Sequence, residues 1–267
     1  MASPEQDLAP ALDKDGVRLT VDDALATVTL TNPAKRNAQS PALWRALAEA
    51  GRLLPGSVRV VVLRGEGKSF SAGLDRQMFT PEGIPGEPTF IDLARRDDAG
   101  IDATIAEYQE AFTWWRRTDI VSIAAVQGHA IGAGFQLALG CDLRVVADDV
   151  QFAMRETSLG LVPDLTGTHP LVGLVGYARA LEICVTGRFV GAEEAVSSGL
   201  ASLAVPAGEL DGAVRDLAAA IMAAPRDAVV ETKALLRGAL DRTYEEQRAA
   251  ERAAQARRLR DLAGLGE

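Results

Sequence analysis

The chain has 267 residues, 48% of them hydrophobic, which is enough for one large core or a core with a smaller helical appendage. Its formal net charge of −9 argues against a generic nucleic-acid binder. The two cysteines and two histidines show no metal-type spacing, so neither a metal site nor a disulfide framework is expected.

The first residues, Met-Ala-Ser-Pro-Glu-Gln-Asp, are polar and acidic, unlike a secretory signal or a basic transit peptide. Glycines and charges interrupt every apolar run before it reaches spanning length. These features lead to the expectation of a cytoplasmic protein with no membrane partner, a flexible N-terminus over residues 1–15, and Cys141 and Cys184 as buried free thiols. Val17–Val21 and Leu25–Leu30 read as strands joined by a turn at Asp22–Ala24. Thr31–Ala38 is a loop. Ser40 then caps a helix that has Pro41 at its first position and an apolar face of Leu43, Trp44, Leu47 and Ala50. Val58–Arg64 is a strand, followed by a glycine-containing loop to Asp75. Met78–Asp98, rich in proline, glycine and charge, reads as an irregular and mobile loop. Helical periodicity resumes over Ile101–Arg117, where Ile105, Tyr108, Phe112 and Trp115 recur three or four apart and read as core or pocket wall.

The segment from Ile123 to Asp164 is the centre of the chain. An apolar run at Val121–Val126 has strand length; Gly128-His-Ala-Ile-Gly-Ala-Gly134 follows, then a helix-compatible stretch to Gly140 and a second strand at Leu143–Ala147. The first N–H groups of a helix have no partner within it, and small residues let an incoming oxygen approach them, so this turn could stabilise developing negative charge. It could equally serve close packing alone. Glu156 sits among apolar residues and Asp164 follows eight positions later. Two acids beside a glycine turn suggest a pocket in which a carboxylate with a raised pKa can shuttle protons; taken singly, each could be a cap or an ion-pair partner. Beyond Asp164, helices are expected at Ala178–Thr186, ending at Gly187, and at Ala192–Ser198, then a short strand at Ala201–Val205. From Leu210 to Leu262 the pattern is helical, broken near Pro225 and Gly238. Strands separated by helices give an α/β fold class.

Phe70-Ser-Ala-Gly-Leu-Asp75, Ile123–Gly134, Cys141-Asp-Leu-Arg144 and Glu156-Thr-Ser-Leu-Gly-Leu161, with Leu181–Arg188 and Ala192–Leu200 after them, together resemble the crotonase, or enoyl-CoA hydratase/isomerase, superfamily. The resemblance covers roughly residues 20–245. It implies a ClpP/crotonase-like spiral of ββα units over residues 16–205, a helical oligomerisation or lid region over 206–267, and a homotrimer or homohexamer. It also implies an acyl-CoA thioester as substrate, with coenzyme A as part of that substrate and no separate cofactor. The carbonyl oxygen of the thioester would sit between the backbone N–H groups of Leu74 and Ala133, with Ala133 standing where glycine is frequent. Lys35, Arg36, Ala38, Ser71, Ala72, Gly73, Asp75 and Gly132 would contribute to binding coenzyme A or the acyl group. Lys35, Arg36 and Lys68 are candidate phosphate partners.

The acids distinguish the reactions. The hydratase pattern has two glutamates, and the first of these positions holds Gln136, so the resemblance favours double-bond isomerisation with Glu156 as proton shuttle and Asp164 assisting. Hydration by Glu156 with a water held by Gln136 is the alternative. A non-catalytic acyl-CoA-binding protein is a third reading.

Overall fold

The computed structural model describes residues 6–7 and 10–266. Strand β1 (Gln6–Asp7) pairs antiparallel with β2 (Val17–Asp22), and Pro10–Asp15 form a 3-10 turn between them. Of the N-terminus expected to be flexible, residues 1–5 and 8–9 lie outside the described residues. β2 and β3 (Leu25–Leu30) make the hairpin read from the sequence, with Asp23 at φ 52° in its two-residue turn. Helix α1 (Pro41–Leu53) starts as expected: the Ser40 hydroxyl accepts from the Leu43 N–H at 3.3 Å, and Leu43, Trp44, Leu47 and Ala50 are buried.

β4 (Val60–Gly65) lies parallel to β3. The stretch expected to be irregular is partly ordered: Arg76–Phe79 form a 3-10 turn, and α2 (Phe90–Ala94) is held by a reciprocal cap between Thr89 and Asp92. The expectation weighed the prolines and glycines and overlooked this cap. Helix α3 (Asp98–Thr113) carries Tyr108 and Phe112 into the core, and Trp115 follows in a 3-10 turn.

β5 (Val121–Val126), β7 (Leu143–Ala147) and β10 (Leu203–Val205) continue the sheet in parallel, so its order is β1-β2-β3-β4-β5-β7-β10. The central strands are nearly uniform runs of Val, Ile, Leu and Ala because both faces of a parallel sheet are covered. Between these strands a second, small sheet escaped the sequence reading: β6 (His129–Ile131), β8 (Gln151–Ala153) and β9 (Val190–Gly191). α4 (Ala133–Gly140) begins two residues after β6. The chain is completed by α5 (Thr168–Val175), α6 (Tyr177–Thr186), α7 (Ala192–Ser197), α8 (Leu210–Ala223), α9 (Arg226–Arg237) and α10 (Tyr244–Leu262). One face of the sheet packs on α1, α3 and α4 in the main core, and the other face packs on α8. Among the described residues no helix is long and apolar enough to cross a membrane.

Candidate active site

The three-residue strand β6 brings the distant motifs together. On one side the 69–75 loop lies along it: the Ser71 N–H donates to His129 O at 2.9 Å, and the Ile131 N–H donates to Ser71 O at 3.0 Å. On the other side β8 pairs in parallel, with Ile131 opposite Ala153, and the Gly132 N–H donates to Ala153 O at 2.8 Å. Leu74 and Glu156, each three residues beyond a pairing with β6, therefore converge on Ala133, two residues past the end of that strand.

Two glycines make this approach possible. Gly73 has φ +85°, and a Cβ there would stand 2.4 Å from Ile131 O and 3.6 Å from the Ala133 nitrogen. Gly132 has φ 52° and ψ −119°, and a Cβ there would stand 3.2 Å from Oε1 of Glu156. Ala133 is the first residue of α4, so its N–H has no acceptor within the helix. Among the described residues the Leu74 N–H donates to no protein acceptor either; its neighbours Gly73 O and Asp75 N are the atoms that bond Gln39.

Glu156 is buried at the start of the 3-10 turn Glu156–Leu159. Its Oε1 accepts from Nε2 of Gln136 at 2.7 Å, whereas its buried Oε2 has no hydrogen-bond partner among the described residues. Burial pushes the Glu156 carboxyl above the ordinary glutamate range; the nearby Asp164 charge adds to this, and the Gln136 donor opposes it. Asp164, half-buried, is raised mainly by the same loss of solvation. Gln136 stands behind Glu156 and outside the cavity wall, with Oε1 accepting from the Leu165 N–H at 2.9 Å and the Gly167 N–H at 3.3 Å. The sequence reading gave Gln136 a water or substrate to hold; the structure gives it Glu156 and the chain at 165–167.

Leu74, Ala133 and Glu156 lie where two arms of a cleft meet. One arm, about 660 Å³, continues past Ala72, Gly73, Gly132, Arg76 and Arg155. The other, about 520 Å³, is strongly apolar and runs between α1, α2 and α3, past Trp44, Phe90, Tyr108 and Asp164.

The remaining candidates divide by whether they reach the cleft. Ser71 does not: its buried hydroxyl donates to Asn37 O and accepts from Gln39 Nε2 and the Gly73 N–H. Asp75 bonds Lys35 Nζ at 2.9 Å and the Gln77 N–H at 3.0 Å, which fixes the turn. Lys35 is engaged there as well, Arg36 is exposed with its carbonyl accepting from the Ala72 N–H, and Ala38 is half-buried beside them. Sequence reasoning missed Asn37 and Gln39. Fully buried, Asn37 Nδ2 donates to the carbonyls of Glu66, Ser69 and Phe70, and Gln39 Oε1 accepts from Trp44 Nε1 at 2.8 Å. Two amides either side of Ala38 are the only sign of this in the sequence. Of the thiols, Cys141 is buried and Cys184 partly so. No cluster of three or more His, Cys, Asp or Glu side chains suited to a metal occurs among the described residues.

The family model described as enoyl-CoA hydratase/isomerase matches residues 20–261. A Thermobifida fusca protein provisionally described as an enoyl-CoA hydratase, solved in complex with CoA, is 49% identical, with a TM-score of 0.91 over 96% of this chain and 97% of that one. The complex with acetoacetyl-CoA gives 50% identity and a TM-score of 0.91 over 95% and 98%. The human mitochondrial Δ(3,5)-Δ(2,4)-dienoyl-CoA isomerase is 34% identical over 244 residues, which is 89% of this chain and 73% of that protein. The fold, the meeting of these motifs at one cleft and a family match over most of the sequence agree: the chain belongs to the enoyl-CoA hydratase/isomerase family, the crotonase superfamily that its motifs resemble.

Proposed function

We propose that the chain is an acyl-CoA-processing enzyme that hydrates a 2-enoyl-CoA thioester, with Glu156 as its acid–base group. The observation that carries this reading is the unpartnered Oε2 of Glu156, buried at the junction of the two arms beside the free N–H groups of Leu74 and Ala133. With the thioester carbonyl accepting from both N–H groups, nucleophilic addition at the β carbon moves charge onto an oxygen that already faces two donors. Glu156 takes a proton from water as the water oxygen bonds to the β carbon, then returns a proton to the α carbon, so that one water is added overall. Its raised pKa suits both transfers near neutral pH. Gln136 acts by aiming the carboxyl. The sequence reading ranked isomerisation above hydration. The order is reversed here because the Thermobifida fusca protein, 49–50% identical over 95–96% of the chain, is provisionally described as a hydratase.

Isomerisation is the second reading, and Asp164 supports it. A second carboxyl with a raised pKa borders the same apolar arm as Glu156, so one acid could remove a proton from an unsaturated acyl chain while the other returns one elsewhere. The arm bordered by Arg76 and Arg155 is the expected route for the coenzyme, with Lys35 and Arg36 at the loop beside it. The exposed Tyr177, Leu181 and Val185, one turn apart along α6, support the trimer or hexamer that the family resemblance implies.

Incubation with crotonyl-CoA in ¹⁸O-labelled water tests the chemistry. Hydration adds a labelled oxygen to the β carbon; isomerisation of a 3-enoyl or dienoyl thioester moves a double bond and adds no oxygen. Glu156→Gln is expected to lower turnover about 10²–10⁴-fold while thioester binding survives. Undiminished turnover by that variant would remove Glu156 from the chemistry.

A further inference from the structure

One neutral polar group on the apolar arm has no hydrogen-bond partner among the described residues. Four polar side chains border it: Thr104, Tyr108, Glu156 and Asp164. Glu156 and Asp164 are the proposed proton carriers. The Thr104 hydroxyl is engaged, donating to Gly100 O at 2.7 Å and accepting from Arg96 Nη1 at 2.5 Å. Tyr108 is different. Only 5% of it is exposed, it borders the apolar arm alone, and its hydroxyl has no hydrogen-bond partner among the described residues. Its ring is fixed against Trp44, centroids 4.7 Å apart at 49°, and the Trp44 N–H is itself taken by Gln39. The hydroxyl itself is not sealed in the core, so with its ring packed and its oxygen unpartnered it is open to a group that enters the arm. The arm's lining beside it is hydrocarbon, among it Met78, Leu93, Ile101 and Ile105, while the charges of Glu107, Glu87, Arg45 and Arg96 act on the hydroxyl from outside that lining.

We propose that Tyr108 determines acyl specificity: its hydroxyl hydrogen-bonds an oxygen function, a hydroxyl or carbonyl, carried by the acyl group beyond the reacting carbons. The preferred thioester is then an oxygenated acyl-CoA that fits about 520 Å³, rather than a plain alkyl enoyl-CoA. The preference for an oxygenated acyl group follows from how sites discriminate. A site built to hydrogen-bond a substrate group rejects the analogue that lacks it far more strongly than an apolar pocket rejects a missing methylene. This inference rests on the acyl-CoA reading above and adds the class of acyl group.

The test pairs thioesters of equal chain length, one a plain 2-enoyl-CoA and one with a hydroxyl or keto group toward the chain end. Each is assayed with the wild type and with Tyr108→Phe, which keeps the ring and its packing on Trp44. The wild type is expected to favour the oxygenated member at least tenfold in kcat/KM. The variant is expected to lose that preference while turning over the plain member as well as, or better than, the wild type. Circular dichroism and the plain-substrate rate together confirm that the variant is folded. Equal kcat/KM for both members with the wild type, or an unchanged preference in Tyr108→Phe, overturns the role of Tyr108 and leaves the acyl-CoA reading intact. Failure of the wild type to bind or turn over either member overturns both.

Discussion

Glu156 is held through one oxygen and left free through the other, and its burial has a measurable consequence for stability. Its carboxyl is raised above the ordinary range, chiefly by burial, and Asp164 is raised for the same reason. The folded state therefore binds more protons than the unfolded chain between the ordinary carboxylate pKa and the raised values. Stability falls as pH rises through that window, and the cost is fully present above it. In Glu156→Gln the side-chain oxygen can still accept from Gln136, and the charge is gone. The variant is expected to melt no lower than the wild type at pH 8, with the gap between them narrowing toward pH 5. Thermal denaturation across that range measures it, and a variant less stable at pH 8 than the wild type would show that the carboxylate supports the fold. The catalytic limb runs the other way: if the ionised form starts the reaction, kcat/KM rises with pH through the raised Glu156 value.

At the scale of elements, the legible parts were those with long periodic or capped signals. The β2–β3 hairpin, the Ser40–Pro41 start of α1, the apolar run of β5 and the left-handed Gly187 closing α6 follow from local chemistry. The small sheet of β6, β8 and β9 did not, because strands of two or three residues have no measurable period and their pairing joins residues far apart in sequence. The Gly128–Gly134 stretch accordingly read as one turn, although β6 runs through its middle. That Leu74, Ala133 and Glu156 belong together was still legible, since their motifs are local and resemble a family, and the structure brings them to one cleft. The partners of Gln136 were not, since a buried amide's hydrogen bonds depend on tertiary contacts alone. The junction itself is testable at Gly132. Alanine there meets both a backbone conformation that L-residues avoid and the Oε1 of Glu156. Gly132→Ala is expected to cost about 1–3 kcal/mol of stability and, by displacing the carboxyl, about 10–100-fold in kcat/KM. Gly56, whose Cβ would meet nothing within 4 Å, is the matched control, and Gly56→Ala should leave both quantities close to wild type. Undiminished activity in Gly132→Ala would show that this approach of α4 to Glu156 is not needed.

For the molecule as a whole, the helices after β10 are attached to the sheet by polar contacts as well as by α8. Arg59, just before β4, donates to the carbonyls of Met222 and Ala224 at the end of α8. On α9, Lys233 is buried, with Nζ donating to Arg117 O, Ile120 O and the Asp142 carboxylate at 2.6–2.7 Å. Asp142 in turn accepts from the N–H and hydroxyl of Ser122 at the head of β5. Burial pulls the Lys233 pKa down and Asp142 only partly restores it, so the pair offsets part of its own desolvation. A pair of this kind contributes little relative to apolar residues but is costly to break from one side. Lys233→Met should lower stability by about 3–5 kcal/mol by leaving the carboxylate and two carbonyls without their donor. The double variant Lys233→Met, Asp142→Asn should recover part of that loss, because the amide oxygen it introduces can still accept from Ser122 and carries no charge. Denaturant unfolding of the single and double variants measures the coupling, and amide exchange in α9 and α10 locates it. If the single variant unfolds like the wild type, or if exchange rises evenly through the chain, then α9 is held by its apolar contacts and Lys233 is not the tie between the C-terminal helices and the sheet.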